Sequence, residues 1–128
     1  MEAYSPYVDF LKAISHPTRL AVLEILRGGE QCVCHMEATL GLRQASISQQ
    51  LMILREAGLV DVRRDGLNMY YRVVKPQVFQ ILDAVYAATG MPRPRLVHKH
   101  PKASCPCPKC NAELRAKSSG LIPLRMKE

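Results

Sequence analysis

The sequence predicts a mainly α fold with a β-hairpin wing, a winged helix-turn-helix followed by a flexible, cysteine-containing C-terminal tail. Three observations carry it. Five helical segments bounded by cap and stop signals occupy most of residues 1–90. A tight turn around Gly41 stands directly before a helix with a Ser- and Gln-rich outer face. Two segments of strand character flank Asp65-Gly66, a strong hairpin signal.

The first helix starts at Ser5-Pro6, a serine cap followed by a proline in the first turn, and ends near Ser15, with Val8, Leu11 and Ile14 as its apolar stripe. A second opens at Pro17, sets Leu20, Leu23 and Leu26 on one face and stops at Gly28-Gly29. Residues 30–33 read as a short extended piece. A helix from about 34 to 40 then ends at Gly41, and Leu42-Arg43 forms the turn. In the next helix, about 44 to 57, Ile47, Leu51 and Leu54 follow i, i+4, i+7 and face inward, which leaves Gln44, Ser46, Ser48, Gln49, Met52 and Arg55 near the outer face. Residues 59–64 alternate imperfectly, Asp65-Gly66 supplies a two-residue turn, and residues 68–74 are aromatic and β-branched. Pro76 opens a last helix whose stripe of Val78, Ile81, Leu82, Val85 and Tyr86 runs to Gly90; a stripe this wide suits either a dimer contact or core packing.

A chain of 128 residues supports one domain with a modest core, and composition changes near residue 90. Residues 1–90 carry nine basic against nine acidic side chains, residues 91–128 nine against two, so the net charge of +7 belongs to the tail. Six of the nine prolines also fall there, and apolar periodicity disappears, which predicts a tail without a packed core; residues 113–117 could form one helical turn. The division is therefore 1–90, a DNA-binding and dimerisation domain, and 91–128, a basic Pro/Cys-rich tail. The tail's charge suits a solvated segment or a non-specific attraction to phosphates, and does not by itself establish DNA binding. No charged stretch followed by a long apolar run opens the chain, and no apolar window approaches the roughly 20 residues needed to span a bilayer. The expectation is a cytoplasmic protein with no membrane partner. No triad, paired carboxylates or phosphate loop suggests an enzyme.

The centre suits double-stranded DNA. Gln44, Ser46, Ser48, Gln49 and Gln50 crowd the start of the helix after the turn, where glutamine can pair with adenine, serine can serve bases or phosphates, and the helix N-terminus favours a phosphate. Arg63 and Arg64 at the hairpin's charged end suit a phosphate backbone. Each feature alone also describes an ordinary polar face; together with the turn they favour DNA contact.

All five cysteines lie in two groups, Cys32-Val33-Cys34 and Cys105, Cys107 and Cys110. Residues two apart on an α-helix point about 200° away from each other, so Cys32 and Cys34 can share an ion only if one leaves helical geometry. Cys32 in the extended piece and Cys34 in the first turn would satisfy this, and tightening that junction would strain the helix beside the DNA reader. The tail thiols have two prolines among them and no helix to oppose convergence; three thiolates suit As(III), or zinc or cadmium with a fourth ligand. Lys99, Lys102 and Lys109 would favour the thiolate form. The plainer alternatives are small buried hydrophobes at Cys32 and Cys34 and a chance cluster in the tail. His35 reads as an exposed or capping residue and His16 as structural, with His98 and His100 as further donors.

The segments Ser15-His16-Pro17-Thr18-Arg19-Leu20, Cys32-Val33-Cys34, Ser46-Ile47-Ser48-Gln49-Gln50-Leu51 and Arg55-Glu56-Ala57-Gly58-Leu59-Val60 together resemble the ArsR/SmtB family of winged-helix metal-responsive repressors, over about residues 6–90. The resemblance implies a homodimer joined by its first and last helices, bound to operator DNA and released when a metal or metalloid occupies a sensor site. The Cys-Val-Cys pair is similar to that of arsenite/antimonite and cadmium/lead sensors. Two departures stand out. A third cysteine one helical turn after the pair is replaced by Glu37, and the last helix offers Asp83 and no histidine. The missing thiol would come from the tail. The resulting expectation is a repressor released by As(III) or Sb(III), or else by Cd, Pb or Zn, bound by Cys32, Cys34, Cys105, Cys107 and Cys110. A thiol redox-sensing repressor and a metal-sequestering interaction module are the rival classes.

Overall fold

The computed structural model describes residues 1–96, so Cys105, Cys107, Cys110, His98 and His100 lie outside the described residues. A 3-10 turn (Glu2–Tyr4) leads into α1 (Ser5–Ile14), followed by α2 (Pro17–Leu26), β1 (Gln31–Cys32), α3 (Val33–Leu40), α4 (Gln44–Glu56), β2 (Val60–Asp65), β3 (Asn68–Val73) and α5 (Gln77–Thr89). The strands form one antiparallel sheet in the order β1-β3-β2. This is the winged helix-turn-helix order. Among the described residues no helix is long and apolar enough to cross a membrane.

Two local expectations shift by one residue. The N-cap of α1 is Tyr4, because the preceding 3-10 turn already delivers Ser5 in helical geometry (φ −54°, ψ −45°), and the proline falls within the first turn. The hairpin turn is Gly66-Leu67, with Asp65 and Asn68 paired across it. Only Gly66 has positive φ there, +65°, as in a II′ turn; centring the turn on Asp65-Gly66 in the favoured I′ form would have forced Asp65 into that region too.

The core lies where α2, α3 and α4 meet under the sheet and α5. Val22, Leu23 and Leu26 of α2, Met36 of α3, Ile47, Leu51 and Leu54 of α4, Leu59 and Val60, and Val78 and Leu82 of α5 are all buried. Gly41 adopts the left-handed conformation (φ +69°) that ends α3 and turns the chain into α4. The α1 stripe divides: Ile14 joins the core, whereas Val8 and Leu11 remain exposed.

Two arginines, Arg19 on α2 and Arg27 at its C-cap, fix the other helices to it. Arg19 donates to the Lys12 and Ala13 carbonyls at the end of α1, at 3.0 and 2.5 Å, and to Oε1 of Gln50 on α4 at 2.6 Å. Arg27 grips Glu24 through two 2.8 Å bonds and reaches Asp83 of α5 at 2.9 Å. Tyr86 of α5 donates to the same Glu24 carboxylate at 2.6 Å. Burial alone would raise the Glu24 pKa, but the hydrogen bonds from Arg27 and Tyr86 and the charges of Arg27 and Arg93 outweigh it and hold the carboxyl below its ordinary 4.5. Burial, and then the bond to Glu24, push Tyr86 up to about 12.

The sign of the pH dependence follows. A carboxyl with a depressed folded-state pKa contributes stability that is present above pH 4.5 and disappears as pH falls through the depressed value. Tyr86 contributes below pH 10.0, and its share is lost as pH rises through about 12. Glu24→Gln is expected to lower the unfolding free energy at pH 7 by about 1–3 kcal/mol, the cost of stripping a charged partner from this network. In denaturant titrations the difference from wild type should narrow below pH 4.5; a gap constant from pH 7 to pH 3 would contradict it.

Candidate DNA interface and thiol site

The α4 helix begins at Gln44 because Arg43 is extended (φ −71°, ψ 149°), and its inward row of Ile47, Leu51 and Leu54 sets which side chains face out. Gln44, Ser46 and Gln49 are exposed, and Ser48 is half-buried. Gln50 differs from them: its side-chain oxygen is held by Arg19, so it faces the α1–α2 junction. Sequence reasoning grouped it with the DNA-facing residues because spacing alone does not show a partner thirty-one positions away. Met52 is exposed, and Arg55 lies 3.8 Å from Asp61.

The wing arginines have different surroundings. Arg64 is exposed and carries no ion pair among the described residues. Arg63 forks onto Glu30, with Nη2 to Oε1 at 2.7 Å and Nε to Oε2 at 3.0 Å, and its guanidinium lies 4.8 Å from the centre of the Tyr70 ring. The bond to Glu30, more than offsetting desolvation, raises the Arg63 pKa. Neither Glu30 nor Tyr70 stood out in the sequence. The only signal was register, which depends on exactly where the hairpin turns.

Cys32 and Cys34 are brought together. Cys32 is extended (φ −88°, ψ 162°) and is both the last residue of β1 and the N-cap of α3, where its Sγ accepts from the His35 N–H at 3.4 Å. Cys34 sits in the first turn of α3, and the two Sγ atoms are 2.8 Å apart. The helix boundary thus falls inside the pair, which removes the opposition that two helical positions would have imposed. Cys32 is buried against Tyr70, with Cys34 packed beside them. Glu37, in the position of the absent third thiol, lines the same cleft of about 710 Å³ as Cys32, Cys34, Arg43, Gln44 and Leu67. The sulfurs therefore share a cavity with the start of α4 and the tip of the wing. Among the described residues no group of three or more His, Cys, Asp or Glu is arranged to hold a metal ion, so the pair supplies two donors and a complete site needs others.

The family model described as bacterial regulatory protein, arsR family, matches residues 16–62. The biofilm growth-associated repressor of Agrobacterium fabrum is 41% identical over 86 residues, 67% of this chain and 74% of that protein. The reduced form of HlyU from Vibrio cholerae superposes with a TM-score of 0.61 at 28% identity, covering 68% of this chain and 92% of that one. The structure of a possible transcriptional regulator for arsenical resistance gives a TM-score of 0.52 at 37% identity, covering 66% and 86%.

The different surroundings of neighbouring glutamines can be tested directly. Gln50→Ala removes the acceptor of a charge-assisted bond and is expected to cost about 1.5–3 kcal/mol of stability. Gln49→Ala on the exposed face should stay within about 0.5 kcal/mol of wild type. Chemical unfolding measures both; equal effects would mean that the Arg19–Gln50 bond does not anchor α4.

Proposed function

This chain belongs to the arsR family of bacterial regulatory proteins, and from that premise we propose that it is a repressor that binds operator DNA as a homodimer and releases it when As(III) or Sb(III) is held by cysteine thiolates. The observation that carries this reading is the meeting of two sulfurs on the wall of the cleft that the start of α4 and the wing tip also line. Gln44, Ser46, Ser48 and Gln49 would read the major groove and Arg64 would take a phosphate. The exposed Tyr4 at the start of α1, Tyr7, Val8 and Leu11 of α1 and Val85 of α5 would meet their copies across the two-fold axis.

Soft donors fit a soft inducer. Cys32 and Cys34 would supply two thiolates, and Cys105, Cys107 or Cys110 the remainder; the nine residues from Leu96 to Cys105 can span up to about 30 Å when extended. The Cys32 sulfur also accepts from the His35 N–H as the cap of α3, so ligation would act at the start of the helix that leads into the reader. Cadmium, lead or zinc would use the same donors with added ligands. The relationship to a regulator named for arsenical resistance favours arsenic.

A second reading is favoured by the contact between the two sulfurs and by the likeness to the reduced form of HlyU. In it the two thiols form one disulfide, giving two electrons and two protons to a peroxide, which leaves as two waters. Release from a promoter fragment, titrated with arsenite, antimonite, cadmium, lead, zinc and peroxide, separates the two.

The Cys32→Ser/Cys34→Ser variant is expected to bind promoter DNA as tightly as wild type and to stay bound when arsenite is added; normal release would move sensing into the tail. Replacing Cys105, Cys107 and Cys110 by Ser should lower ion affinity or change the preferred ion. Leu11→Glu is expected to shift the protein from dimer to monomer in sedimentation at micromolar concentration and to abolish tight binding to a palindromic site. A monomeric wild type still bound to that site would overturn the dimer.

A further inference from the structure

Cys32, Tyr70 and Arg63 occupy one row across the sheet. Cys32 pairs with Tyr70 between β1 and β3, and Arg63 pairs with the same Tyr70 between β2 and β3. Directly opposed residues project from the same face, so these three side chains stand side by side. Cys32 and Tyr70 are buried there, and the Arg63 guanidinium covers the tyrosine ring. The row closes on itself, because Arg63 also forks onto Glu30, two residues before Cys32 on the segment that enters β1. A ring of contacts thus runs from the thiol, through the tyrosine and the arginine, to the carboxylate and back along the backbone to the thiol.

The geometry points to Glu30, Arg63 and Tyr70 as a clamp that holds the wing in its DNA-reading position and through which occupancy of the Cys32/Cys34 pair reaches the wing. The transmission half rests on the thiol-sensor reading above; the clamp half does not. An ion held by Cys32 and Cys34 would have to fit between sulfurs that now touch, and so would act on the position of Cys32, which ends β1 and caps α3. A shift of Cys32 would be passed to Tyr70, buried against it, since a close-packed contact passes on a shift it cannot absorb. Arg63, held from both sides, cannot keep the ring contact and the carboxylate fork at once. Losing either frees the wing, and DNA affinity falls.

Arg63 is then a positioning residue and not a phosphate contact, and charge-preserving substitutions separate the two roles. Arg63→Lys keeps the positive charge but loses the bidentate fork and the stacking plane. Glu30→Gln keeps the shape and removes the anion. The full-length protein and both variants, checked for equal folding by circular dichroism, would be titrated against a promoter fragment across a salt series with and without cadmium chloride. Occupancy of the pair is read from thiolate-to-cadmium absorbance, relative to Cys32→Ser/Cys34→Ser.

The clamp requires that both variants bind ion-free DNA about fivefold more weakly or worse, with the salt slope unchanged and the double variant no weaker than either single one. Transmission requires in addition that the ratio of Kd with cadmium to Kd without it fall toward one in both variants while cadmium still loads. A phosphate-contacting Arg63 gives the opposite pattern: Glu30→Gln tightens DNA binding by freeing the arginine, and Arg63→Lys changes little. Either of those results overturns the clamp. A cadmium ratio unchanged from wild type in Glu30→Gln overturns transmission. Wild-type protein that loads cadmium at the pair without releasing DNA overturns transmission, while the ion-free constants still decide the clamp and release by arsenite still decides the sensor reading.

Discussion

The backbone switch at Cys32 is the constraint on which the candidate regulatory site depends. A Cys-x-Cys pair within one helix would direct its sulfurs to opposite sides, and within one strand would place both on one face but far from any helix. Here the strand ends on the first cysteine and the helix begins on the residue between the two. The extended φ and ψ of Cys32 let it belong to the sheet and cap the helix at once. One dihedral change brings two sulfurs together, and it makes the first of them a structural member of two elements. Any chemistry at that sulfur acts on both.

The helices reach the same module by another route. Arg19 bonds the end of α1 and a side chain of α4, and the Glu24–Arg27 pair bonds α5 through Asp83 and Tyr86. The exposed apolar side chains of α1 and α5 are thus connected through two half-buried arginines to α2, and through Arg19 to the helix that presents Gln44, Ser46 and Gln49. In a dimer built on those faces, spacing between the two reading helices would be set by packed helices and not by loops.

The sheet is the smallest element and the most connected to the thiols. Only two residues form β1, yet they pair with the central strand of the wing and place Cys32 against Tyr70. Beside the ladder, side-chain contacts join the same segments: Cys32 on Tyr70, and Glu30 on Arg63.

What the sequence by itself determined was whatever rests on local periodicity and stop signals. Ile47, Leu51 and Leu54 predicted the buried face of α4 and therefore its exposed face; Gly41 and Gly90 marked helix ends; and the placement that shared ligation would need, Cys32 extended and Cys34 in the first turn, is the one the backbone adopts. What only the tertiary structure decided concerns partners far apart in the chain. Gln50 turns to Arg19 and Arg63 to Glu30 across thirty-one and thirty-three residues, although both read locally as DNA-facing. The turn at Gly66-Leu67 was settled by which residue could bear a positive φ, and that single step in register decided that Arg63 opposes Tyr70 and Tyr70 opposes Cys32. Periodicity is a property of neighbours along the chain and survives without the fold; a salt bridge or a cross-strand pair exists only once closure of the chain has set two distant segments at a fixed offset.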